Sequence, residues 1–131
     1  MLLAPRVSPQ NYQVVGACFH ETGANKLITC GWTGSGSGVV FEIIYWSDPV
    51  TYSTGLYTGP TESQEIQKFC WLKLVDDNTD LKVYRSTDPN TWGEPIWSEA
   101  RTTRLTANRV GITACSANTG YTASVILRSN S

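Results

Sequence analysis

The feature that most constrains this chain is the regular succession of strand-like segments and turn sequences. Segments rich in β-branched and aromatic residues lie at 12–20, 26–32, 39–46, 64–75, 81–85, 109–115 and 121–127. Clusters of Gly, Asn, Asp, Ser and Pro separate them at intervals of about ten residues, which is typical of sandwiches and barrels. The sequence therefore predicts a single all-β domain over 1–131, an antiparallel two-sheet sandwich with essentially no helix.

The C-terminal half carries a recognisable order of motifs. Trp71-Leu-Lys-Leu-Val is followed by Leu81-Lys-Val-Tyr-Arg-Ser-Thr-Asp-Pro-Asn-Thr-Trp, then by Leu105-Thr-Ala-Asn-Arg-Val-Gly-Ile-Thr-Ala and Tyr121-Thr-Ala-Ser-Val. This order resembles the concanavalin-like jelly roll of legume lectins, laminin-G domains and glucanases. The resemblance covers about residues 66–127 and implies a jelly-roll sandwich, but it implies no specific activity.

The charge balance argues against several partners. Ten Lys and Arg face 11 Asp and Glu, and no basic stripe or run of like charges occurs. Nucleic acid and anionic membrane surfaces are therefore not expected partners.

No apolar stretch approaches the roughly 18 residues that span a bilayer, and the start at Met1 lacks a signal-peptide pattern. We expect a protein made in the cytoplasm, with incorporation into a virion as one open alternative and a mature or excised domain as another.

Metal and cofactor motifs are not apparent. Cys18, Cys30, Cys70 and Cys115 are irregularly spaced without a C-x-x-C, and their apolar surroundings favour buried thiols over one or two disulfides. The acidic segment 76–80 resembles a calcium loop only in its alternation, so a hairpin turn is the favoured interpretation. We predict no metal and no cofactor.

The carboxylates do not form a catalytic pattern. The Glu-x-Asp-x-x-Glu strand of glucanases is absent, and glycoside hydrolysis usually takes two carboxylates. Glu42 is the only acid in the apolar strand 39–46, where alternation places it on one face with Val40, Ile44 and Trp46. An acid at the sheet rim is the favoured interpretation, and a core salt bridge and a ligand contact remain open. The chain is predicted not to be an enzyme.

Several aromatic residues lie in Gly- and Pro-punctuated sequence, where alternation gives them no inward face. They are the predicted ligand or interface residues, namely Trp92, Trp97, Tyr52, Tyr57 and Trp32. Rings of this kind stack on sugars or anchor protein interfaces, and packing within the core is the alternative. The segment Ser86-Thr-Asp-Pro-Asn-Thr-Trp92 also resembles the Asp-box turn of sialidases, which implies a structural role for Trp92.

Two functional classes follow from these observations. The first is a non-catalytic glycan-recognition or receptor-binding (adhesion) module. The second is a structural virion protein of a phage, such as a capsid-decoration, fibre or tail subunit, with glycans or other subunits as partners and a possible homo-oligomer. A glycoside hydrolase-like enzyme is a distant third.

Overall fold

The computed structural model describes residues 2–3, 13–35, 38–60 and 70–116. These residues form nine β-strands and no helix. The strands are β1 (Leu2–Leu3), β2 (Gln13–Glu21), β3 (Lys26–Ser35), β4 (Gly38–Asp48), β5 (Thr51–Thr58), β6 (Cys70–Asp76), β7 (Asp80–Ser86), β8 (Trp97–Ala100) and β9 (Arg109–Ser116). The predicted strand 121–127 and the first part of 64–75 lie outside the described residues.

The strands form two antiparallel sheets. The large sheet has the order β5-β4-β3-β2-β9, and the small sheet has the order β1-β6-β7-β8. Strands β2 to β5 follow one another within the large sheet, as β6 to β8 do within the small one. The chain returns to the large sheet for β9, which pairs with β2 from Gln13↔Ser116 to His20↔Arg109. The predicted all-β, two-sheet sandwich is confirmed.

The core lies between the two sheets and is filled by alternate residues of each strand. Strands β2, β3 and β4 contribute three residues each, and β6 and β7 contribute two each. These are Val15, Ala17, Phe19, Ile28, Cys30, Trp32, Val39, Phe41, Ile43, Cys70, Leu72, Leu81 and Val83, with Leu105 and Ala107 from the segment before β9. Burying one large apolar side chain contributes about 1.5–3 kcal/mol. Because successive side chains of a strand point to opposite faces, the residues between these core positions lie on the other face of the large sheet.

The predicted strands leave a gap between residues 46 and 64, and the structure places a further strand within it. Residues 51–58 form β5, which pairs with β4 along its length. The register of the pair shifts between Ile43 and Ile44 and twice more before Asp48. Such irregularities admit extra residues and keep the strands paired, so Gly55 does not end the strand.

The described cysteines agree with the prediction of buried thiols. Cys18, Cys30 and Cys70 are buried and free. Burial raises the pKa of the Cys18 and Cys30 thiols, and the nearby Cys18 adds to the shift at Cys30. The side chain of Cys115 lies outside the described residues. Within the described ranges, no helix is long and apolar enough to cross a membrane.

The acidic segment 76–80 is a hairpin turn between β6 and β7. Asp77 accepts hydrogen bonds from the backbone N–H of Thr79 (2.9 Å) and of Asp80 (2.7 Å). Its second oxygen lies 2.6 Å from Nζ of Lys82. The Lys82 contact and the two backbone donors hold the pKa of Asp77 well below its usual range.

We expect Asp77→Asn to lower stability at neutral pH and to do so less in acid. The folded-state pKa is depressed, so the stabilisation is complete above the unfolded value of about 3.9 and is lost as pH falls below it. Urea unfolding of both proteins at pH 7 and at about pH 3 checks this, with Glu94→Gln as an exposed control. A stability difference that stays constant with pH would contradict the assignment.

Candidate ligand-binding cavity

A cavity of about 480 Å³ opens on the face of the large sheet that points away from the core. Small-molecule sites usually enclose about 300–1,000 Å³. The described lining residues are Val14, Thr33, Glu42, Ile44, Trp46, Tyr52 and Gly55. Those on β2, β3 and β4 alternate with core residues along the same strands, which is why they share this outer face. Below, the cavity lined by these seven residues is called the outer-face cavity.

Two aromatic rings form one corner of the outer-face cavity. Trp46 on β4 and Tyr52 on β5 are direct cross-strand partners. Their ring centroids lie 6.0 Å apart, and the ring planes meet at 89°. The indole N–H of Trp46 donates to Oγ1 of Thr29 at 2.8 Å, which fixes that ring. Tyr52 is 59% exposed, so much of its ring is open to solvent or ligand.

The irregular pairing of β4 with β5 shapes the cavity beside these rings. Register shifts flank Trp46 on both sides, and β-bulges are common next to functional sites because they re-aim side chains. Gly55 stands opposite Ile44. A Cβ atom at Gly55 would lie 3.7 Å from the hydroxyl oxygen of Tyr52, so the Tyr52 side chain extends toward a position without a side chain.

The polar groups of the outer-face cavity are few. Glu42 is half-buried, and its Oε1 accepts a long hydrogen bond of 3.4 Å from the hydroxyl of Thr58. Thr33 is only 3% exposed, and its Oγ1 has no hydrogen-bond partner. A buried hydroxyl without a partner is costly, and a polar ligand group would reach this one only if the lining around Thr33 moved.

The structure does not bring the five predicted site residues together. Tyr52 alone belongs to the outer-face cavity. Trp32 is 2% exposed and part of the core. Trp97 and Tyr57 are partly buried and pack against that core from β8 and β5. These three positions favour structural roles.

Trp92 lies on the other sheet, against the outward face of β6 and β7. Its indole N–H donates to the carbonyl of Pro89 at 2.9 Å, and its ring meets Tyr84 edge-on at 6.4 Å. Nζ of Lys73 lies 4.7 Å from the Trp92 ring centroid and 4.2 Å from that of Tyr84. These contacts hold Trp92 beneath its turn. Trp92 therefore packs against the small sheet, whereas Tyr52 belongs to the large sheet.

The turn above Trp92 is held together by side-chain hydrogen bonds. Asp88 accepts hydrogen bonds from the backbone N–H of Asn90 at 2.9 Å and from the Thr91 hydroxyl at 3.0 Å. Both lower the pKa of Asp88, and the Asn90 contact contributes most. The hydroxyl of Ser86 donates to the Thr91 carbonyl at 2.7 Å. The side chains of this turn are therefore engaged in holding its shape.

No protein-family model, curated protein or solved structure matches this chain. The function therefore has to follow from the chemistry of the outer-face cavity. The described part of the chain contains no group of three or more His, Cys, Asp and Glu side chains that could hold a metal ion.

The sequence-based prediction did not include Trp46 or Thr33 among the site residues, although both line the cavity. The useful signal was the alternation in β4. It placed Glu42 on one face with Ile44 and Trp46, and all three line the outer-face cavity. Alternation within one strand does not predict which strand lies beside it. The contact between Tyr52 and Trp46 depends on the pairing of β4 with β5.

Proposed function

We propose that this domain is a non-catalytic glycan-recognition or receptor-binding module that holds a sugar in the outer-face cavity. One observation carries the proposal. The aromatic corner of Trp46 and Tyr52 lines the same cavity as the carboxylate of Glu42 and the unpartnered hydroxyl of Thr33.

Each of these groups matches a part of a pyranose ring. The apolar face of the sugar stacks on an aromatic ring, and Tyr52 is exposed enough to offer one. A carboxylate accepts hydrogen bonds from sugar hydroxyls, and bonds to a charged acceptor are stronger than neutral ones. Thr33 lines the β3 side of the cavity, and its buried hydroxyl would add a polar contact after a small rearrangement of the lining.

The described lining supports binding over hydrolysis. It contains one carboxylate, Glu42, whereas the usual glycosidase mechanisms use an acid and a second carboxylate as base or nucleophile. A receptor-binding or adhesion role needs the sugar to be held and released unchanged, which this set of side chains can do.

We expect Tyr52→Ala to weaken glycan binding by roughly 30-fold while the fold stays intact. Truncating an aromatic anchor typically costs about 2 kcal/mol of binding energy. Because Tyr52 is more than half exposed, its loss leaves little buried volume to fill. A glycan array identifies the ligand, and titration calorimetry compares the variants.

Two further variants make the Tyr52 result specific. Tyr52→Phe keeps the ring and should retain most of the affinity. Val50→Ala alters an 88% exposed residue near the same strand and should change nothing. Equal binding by wild type and Tyr52→Ala would remove the outer-face cavity as the sugar site.

A second function is favoured by a separate observation. Val110 and Ile112 on β9 are 67% and 50% exposed. They line an apolar groove of about 410 Å³ together with Leu72 and Leu74 of β6. Exposed apolar side chains of this kind suit an interface between subunits, as in a virion protein. Mass measurement in solution separates the functions: a stable trimer or larger ring favours assembly, and a monomer favours the binding module.

A further inference from the structure

The described lining of the outer-face cavity carries negative charge and no positive charge. Glu42 is the only charged side chain among its described lining residues. Thr58 is its only hydrogen-bond partner within the described ranges, and that contact is 3.4 Å long. A half-buried carboxylate in such a setting attracts a cation and repels an anion more strongly than it would in water.

Five of the seven Lys and Arg side chains of the described residues are held in ion pairs or over aromatic rings outside the cavity. Lys82, Arg101 and Arg104 form ion pairs with Asp77, Asp76 and Glu99. Lys73 and Arg85 lie over aromatic rings, and Arg85 does so on the core side of the sandwich, 4.4 Å from the Trp32 ring centroid. No Lys or Arg of the described residues lines the outer-face cavity, so within this described lining a positive charge would come from the ligand.

The two aromatic rings of the cavity also favour a cationic ligand. Aromatic ring faces attract a cation as well as stacking on apolar surface, and Trp46 and Tyr52 present two ring planes at 89°. A neutral sugar that covered Glu42 would give its carboxylate hydroxyl hydrogen bonds but no opposite charge, so part of the cost of desolvating the charge would remain. A ligand with an ammonium group would compensate that charge.

We infer that the ligand of the outer-face cavity is an amino sugar with a protonated amine, and that acidic sugars are excluded. This inference rests on the proposed sugar-binding function. The amine pairs with Glu42, and the rest of the ring stacks on Tyr52. Exclusion of acidic sugars follows because a ligand carboxylate would face Glu42 with no cation between them.

Four sugars test the inference. Glucosamine, N-acetylglucosamine and glucose differ only at carbon 2, and glucuronic acid differs from glucose only at carbon 6. We expect glucosamine to bind at least about tenfold more tightly than N-acetylglucosamine, and glucuronic acid not to bind. The preference should disappear in Glu42→Gln and decrease at high salt. Glu94→Gln removes an exposed carboxylate outside the cavity and should preserve the preference.

The failures of the two proposals are distinguishable. Equal affinity for all four sugars, or binding of glucuronic acid as tight as that of glucosamine, overturns the amino-sugar inference and leaves the sugar-binding function standing. A preference for glucosamine that survives Glu42→Gln also overturns the inference, because the charge of Glu42 is its basis. Binding of none of these sugars, together with a blank glycan array, overturns the proposed function and the inference with it.

Discussion

Replacing Gly16 or Gly31 with alanine is expected to destabilise the domain by about 3 kcal/mol or more, at the upper end of overpacking effects. The two glycines face each other across β2 and β3. A Cβ atom at Gly16 would lie 2.0 Å from the carbonyl oxygen of Cys30, and one at Gly31 would lie 2.1 Å from that of Val15. The atoms that the new Cβ would meet belong to the backbone, so no change of side-chain rotamer relieves the clash. Strands β2 and β3 must instead move apart.

Urea unfolding of Gly16→Ala and Gly31→Ala measures this loss. Gly93→Ala is the matched control, because a Cβ atom there would have no heavy atom within 4 Å. If Gly16→Ala and Gly93→Ala unfold at the same urea concentration, the close approach of β2 and β3 is wrong.

Trp32→Ala is expected to lose about 3–5 kcal/mol of folding stability, the usual range for deleting a buried aromatic side chain. Trp32 is 2% exposed, its ring lies edge-on to Phe41 at 5.6 Å, and the guanidinium of Arg85 lies 4.4 Å from its centroid. The substitution leaves a cavity at the centre of the core and removes the ring beneath Arg85.

Trp32→Phe is the informative companion to Trp32→Ala. It keeps an aromatic ring and removes the indole Nε1, which is buried without a hydrogen-bond partner, so its cost should be clearly smaller. Denaturant unfolding and glycan binding are measured on both variants. Trp32→Ala protein that is fully stable but unable to bind ligand would show that the sequence-based assignment of Trp32 to a ligand surface was right.

Much of the fold could be predicted because the strands that cover the core carry their own signal. In β4, inward residues such as Phe41 and Ile43 alternate with outward residues such as Glu42, and this period of two is visible without a structure. The edge strand β5 gave no such signal. Its residues are exposed or half-buried, and the register shifts on β5, one of them next to Gly55, break the alternation.

The site was harder to predict, because the side chains that meet there come from four strands. Proximity to glycine and proline suggested that Trp92 and Trp97 were uncommitted to packing. The contacts that engage them are Pro89 and Tyr84 for Trp92 and the core for Trp97, and these depend on how the turn and β8 fold back. The corner of Trp46 and Tyr52 likewise depends on strand register, which a single sequence does not reveal.

The return of β9 to the large sheet has a consequence for how the chain folds. Gln13 pairs with Ser116 and His20 with Arg109, so this ladder closes a loop that contains most of the described chain. Long-range pairing of this kind slows folding, because the entropy of loop closure is lost before the contacts form. During synthesis the β2–β5 meander can assemble first, with one edge of β2 unpaired until β9 leaves the ribosome. An unpaired strand edge is a template for aggregation, so slower docking of β9 would leave this edge of β2 open to other chains for longer.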